Sequence, residues 1–161
     1  MTSASDTSKG PRVAFPPPLL FVAALGASLL LDRRLGLDID GEGAGFIQTA
    51  LGILLVLAGL GLMIWGIITF LLARTAIYPN QPARQCVVGG PYRFTRNPMY
   101  VGLTIAYVGA AIVLNAVWPF LLLPLVLFAL QAYVVRREEA YLRLEFPDDY
   151  AVYCRRVRRW I

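Results

Sequence analysis

The chain has 161 residues, 58% of them hydrophobic, with a formal net charge of +5 and a mean hydropathy of +0.62, a composition too apolar for an ordinary soluble domain. Histidine is absent and Cys86 and Cys154 are the two cysteines, which excludes a zinc site and any histidine-based acid, base or nucleophile. Nucleic acid is not the partner implied by the positive charge, because the arginines flank apolar segments instead of lining a soluble face with interleaved aromatics.

In chain order, residues 1–12 read as a flexible polar tail with Lys9 and Arg12, and a single domain is expected over 13–161. The next apolar run reaches Asp32, Arg33 and Arg34 without a small-residue cleavage site, so 13–31 reads as a first spanning helix and not a removable signal. Pro16, Pro17 and Pro18 stand at its start, where missing amide donors matter least. Residues 35–45, with Asp38, Asp40, Glu42 and several glycines, read as a solvated turn. The clearest span is 46–73, which carries no charge.

From Arg74 to Asn97 the composition shifts to arginine, proline, glycine and glutamine, a connection long enough to be a candidate for function. Residues 98–117 and 120–135 are expected as a helical hairpin around Trp118 and Pro119, the second arm short, at roughly 24 Å, and containing Pro124. Gly102, Ala106 and Ala110 recur at four-residue spacing, so another helix can approach closely there. The fold expected is all-α, an integral membrane bundle of about four transmembrane helices. Of the fifteen Lys and Arg residues, all but Arg33 and Arg34 fall in the amino terminus, the second loop and the tail. Excess basic charge marks the cytoplasmic side, which predicts both termini, the second loop and two free thiols in the cytosol.

Chemistry-bearing residues gather in that loop and tail. Asn97 suits the cap position of the third helix and Pro98 its first turn, so free amides at that helix start suit a carboxylate; the plainer reading has Arg93 and Arg96 anchoring a helix at the headgroups. Glu138 and Glu139 need partners at a membrane boundary, and pairing with Arg136, Arg137 or the loop arginines would supply them. Tyr100, Tyr150 and Tyr153 fit a site or an interfacial aromatic belt equally well.

Taken together, Gly90-Pro91-Tyr92-Arg93, then Arg96-Asn97-Pro98-Met99-Tyr100-Val101-Gly102, then Glu138-Glu139, then Phe146, Tyr150, Tyr153 and Arg156-Val157 form an ordered set. It resembles the isoprenylcysteine carboxyl methyltransferase family and its phospholipid methyltransferase relatives, over about the last 70 residues. Two positions depart from the family pattern: Asn97 stands where the family has histidine, and Pro147 follows Phe146 in place of glycine. Asparagine still donates and accepts hydrogen bonds but does not titrate near neutrality, so a role needing charged imidazole is lost.

The resemblance implies S-adenosylmethionine as methyl donor and a lipophilic or lipidated acceptor among the membrane lipids, with O-methylation preferred to N-methylation. It further implies Arg96, Arg137 and Glu138 as the residues acting on the acceptor, and Tyr92, Asn97, Pro98, Tyr100, Gly102, Glu138 and Glu139 as the cofactor wall, with no metal. The competing expectations are a non-catalytic helical membrane protein, such as a small transporter or assembly subunit, and an inactive family member.

Overall fold

The computed structural model describes residues 13, 16–40, 44–75 and 83–160; the tail expected at 1–12 lies outside them. Among the described residues every regular element is helical. Helix α1, Pro17–Leu35, opens on prolines whose fixed φ suits a first turn. It closes on Gly36, whose positive φ of 45° lets its N–H reach the Asp32 carbonyl at 2.8 Å. The helix ends four residues beyond the expected 13–31, because charge at Asp32, Arg33 and Arg34 ends an apolar run but not a backbone ladder. Arg33 and Arg34 instead form its last turn, where cations meet the negative end of the helix dipole. Helix α2, Phe46–Leu72, agrees with expectation to one residue.

The hairpin differs from its expected bounds. Helix α3, Pro98–Val113, stops four residues early, and Trp118 and Pro119 start the next helix instead of forming the turn. Helix α4, Trp118–Glu145, does not end at 135. It is α-helical to Leu130, widens into a π turn over Gln131–Val135, and continues as α-helix through Arg136–Glu145. The glutamates, expected at the end of the fourth helix, therefore stand within it, with further helical residues beyond them. Helix α5, Pro147–Arg156, follows at once.

Helices α2 and α3 pack antiparallel at backbone contact. A Cβ at Gly52 would lie 2.8 Å from the Gly109 carbonyl, and one at Gly102 2.5 Å from the Gly59 carbonyl, so only glycine permits this approach. The small-residue face includes Gly102, Ala106 and Gly109. On the other side α1 packs against α4, and Phe21 meets Tyr107 edge-on at 5.8 Å over Leu130, Val134 and Val135. Among the described residues two helices, α2 and α4, are long and apolar enough to cross a membrane, and α3 is a shorter apolar helix.

One end of the bundle is stapled by backbone pairing of the two turns. Ile39 N–H donates to the Asn115 carbonyl and Val117 N–H to the Leu37 carbonyl, both at 3.0 Å. Asn115, at φ 54°, adds side-chain bonds to Asp40 and Gln48, a left-handed position that asparagine tolerates. At the opposite end the start of α1, the end of α2, the start of α3 and the charged end of α4 converge with α5 on a cavity.

Candidate functional site

The cavity holds about 370 Å³. Apolar side chains of α1, α2 and α3, among them Pro17, Ile67, Phe70 and Met99, make up much of its wall, and the polar groups sit at the α3 start and on α4. The π turn helps to put them there. Such a turn inserts an extra residue into the helical register and often marks a functional site. In α4 the inward stripe of Leu130, Val134 and Val135 continues past it into Glu139, all four buried.

The two glutamates have different surroundings. Glu138 accepts a hydrogen bond from the Tyr100 hydroxyl at 2.7 Å across the cavity. Glu139 is gripped by arginines: Arg159 donates to both its oxygens, Nε to Oε1 at 2.8 Å and Nη2 to Oε2 at 2.7 Å. Arg96 approaches Oε1 at 3.2 Å, and Arg143, one turn along α4, approaches Oε2 at 3.7 Å. A paired, planar guanidinium fork of this kind is what makes a buried carboxylate tolerable.

Arg96 also donates from Nη1 to Cys154 Sγ at 2.8 Å, while its Nε is buried with no hydrogen-bond partner among the described residues. Asn97 occupies the cap position of α3, but its side chain does not cap the helix. Its Nδ2 instead donates to the Arg159 carbonyl at 2.9 Å, the Thr95 hydroxyl donates to the same oxygen, and Arg96 N–H donates to the Arg158 carbonyl. The chain after α5 is thus strapped across the start of α3.

Tyr92 enters from a 3-10 turn, Gly90–Arg93, that rests on α2. Gly90 has φ 57°, and a Cβ there would lie 2.5 Å from the Thr69 hydroxyl, so the turn needs glycine. The Tyr92 ring packs on Phe70 at 5.2 Å, and Tyr153 donates its hydroxyl to the Tyr92 carbonyl at 2.7 Å. Burial first, and the Glu138 charge second, push the Tyr92 hydroxyl well above its ordinary range. Tyr150 and Tyr153 are raised chiefly by burial, and burial pushes the Cys86 thiol up to about 11, with Asp149 a lesser cause. These walls are therefore neutral at physiological pH.

Of the candidate residues, Tyr92, Arg96, Asn97, Tyr100, Glu138 and Glu139 share the cavity wall. Pro98 is buried behind it, and Gly102 faces Gly59 and Met63 of α2, so its close approach serves a helix and not a ligand. Arg137 is exposed and does not line the cavity. Arg159 was not among the candidates, since nothing in its spacing separates it from Arg155, Arg156 and Arg158. Among the described residues no group of three or more His, Cys, Asp or Glu is arranged to hold a metal.

No curated protein and no solved structure matches the chain. A family model described as phospholipid methyltransferase matches residues 47–149, from the start of α2 into α5. That stretch covers more than half the chain and supplies the α2–α3 pair, the Tyr92 turn, the Arg96–Asn97 corner and both glutamates, and points to a methyltransferase; the chain belongs to the phospholipid methyltransferase family.

Proposed function

We propose that this protein transfers a methyl group from S-adenosylmethionine to a lipophilic acceptor, a carboxylate in preference to an amine, in a cavity at the cytosolic end of four membrane-crossing helices. The observation that carries the reading is the meeting of Tyr92, Arg96, Asn97, Tyr100 and Glu138 on one cavity among apolar walls. The residues fit the donor. Glu138 offers a carboxylate to ammonium or ribose hydroxyls, and Tyr92 and Tyr100 offer faces to an adenine. When bound, the cofactor supplies an electrophilic methyl on sulfonium for in-line displacement.

The chain's own part is alignment and exclusion of water. Phe70, Met99 and Leu103 shield the polar corner, and Tyr100 holds Glu138 in place. Arg96, itself held by Glu139 and Cys154, presents fixed positive charge to an acceptor carboxylate. Arg137 lies outside the wall.

Calorimetry with S-adenosylhomocysteine on the detergent-purified chain tests the cofactor half. Wild type binds, Glu138→Gln weakens binding by roughly tenfold or more, the value of a hydrogen bond to a charged group, and Arg137→Ala leaves it unchanged. Incubation with labelled S-adenosylmethionine and a total lipid extract tests the acceptor half. Absence of both binding and labelled lipid would leave the cavity without this role.

A further inference from the structure

We propose that a second groove, between the Gly90–Arg93 turn and α5, binds the headgroup of an anionic phospholipid at the bilayer surface. The groove is open and holds about 520 Å³. Arg93 and Arg156 stand over it, Asp149 contributes one acidic group, and Val88, Val152 and Val157 form apolar walls. Both arginines are exposed, and among the described residues neither forms an ion pair, not even with Asp149. Arg96 and Arg159, by contrast, are tied to Glu139. The groove therefore keeps one net positive charge and two guanidinium forks shaped for phosphate oxygens.

The apolar part selects a lipid over a free anion. Val88 is 48% exposed, Val152 39%, and Phe94, next to Arg93, 72%. Arginine beside valine and an exposed aromatic is the composition of a membrane interface, where guanidinium meets phosphate and apolar side chains meet the glycerol and first acyl carbons. A zwitterionic headgroup brings no net charge to the unpaired arginines. An anionic one does, and a headgroup hydroxyl could donate to Asp149. Cys86 and Tyr153 line both groove and cavity, so a seated headgroup lies one layer of side chains from the candidate active site. The inference rests on the proposed membrane-embedded reading, with this end at the bilayer surface.

The test is native mass spectrometry of the full chain with phosphatidylglycerol and phosphatidylcholine in competition, in detergent. Wild type retains phosphatidylglycerol in preference. Arg93→Gln with Arg156→Gln cuts that preference by roughly tenfold or more, whereas Arg33→Gln with Arg34→Gln, the same charge change on the other end of the bundle, keeps it. Val152→Glu, which puts a negative charge into the groove and leaves both arginines, also abolishes it, so loss of fold in the double variant does not decide the outcome. Equal retention of the two lipids, equal loss in both double variants, or full displacement by millimolar inorganic phosphate overturns the proposal. S-adenosylhomocysteine binding is measured on the same samples: binding without lipid preference removes this groove and leaves the cavity's reading in place.

Discussion

Glu139 is the most heavily engaged side chain of the site, one buried carboxylate among three guanidiniums. Its partners differ in exposure, and that decides their worth. Arg96 is nearly buried, Arg159 is partly exposed at 39%, and Arg143 is 63% exposed at the longest distance. Glu139→Gln is expected to destabilise by about 2–4 kcal/mol, less than a wholly buried pair would lose because water reaches Arg159. Arg143→Ala should change stability by no more than about 0.5 kcal/mol. Urea or thermal unfolding in micelles separates the two, and equal effects would show that burial does not govern this cluster. The glutamates were legible in the sequence as acids needing partners, but their division of labour was not. Adjacent positions on a helix point about 100° apart, and only the packing of α3 and the tail gave one of them a tyrosine and the other the arginines.

Among the elements, α2 and α3 form the closest pair, and their glycines set its geometry. Gly59→Ala would drive a methyl into the Gly102 carbonyl and to 2.5 Å from the Ala106 nitrogen, both backbone atoms that cannot swing aside. The expected loss is about 1–3 kcal/mol, as for overpacking elsewhere. Gly61→Ala, two residues along the same helix, meets nothing within 4 Å and should be neutral or stabilising by up to about 1 kcal/mol. Thermal unfolding of the two variants side by side checks this, and an undisturbed Gly59→Ala would mean that the helices do not approach this closely. Helix α2 was readable to a residue because no charge interrupts it. The length of α4 was not, because the change to charge at Arg136 marks a change of surroundings, to which backbone hydrogen bonding is indifferent. Likewise Gly109 escaped a four-residue spacing rule because the contact repeats every seven residues along both helices.

At the scale of the whole molecule, a cluster of weak acids joins the tail to the rest. Tyr92, Tyr150, Tyr153 and Cys86 pack together where α5 meets the cavity wall, and burial raises all four. For an acid whose folded pKa is raised, the folded state holds its proton longer than the unfolded chain does, so stability is full below the unfolded value and falls as pH rises. The fall should begin near pH 9, the ordinary thiol value, and continue through the Cys86 value of about 11. Circular dichroism melts between pH 7 and 11 should show it, with Cys86→Ser moving the onset upward toward the phenol range. A melting temperature flat across that interval would contradict the burial of the cluster.

By itself the sequence determined the helical class, the main apolar span, the absence of histidine chemistry and the family, because these depend on composition, on uninterrupted runs and on short motifs whose order along the chain is their information. Tertiary structure decided which motif residues reach the cavity, that Asn97 holds the tail instead of capping its helix, and that Arg159 joins Glu139 across 20 positions. Those facts depend on which helix face meets which neighbour, and a facing contact between distant segments leaves no spacing in the chain from which it can be read.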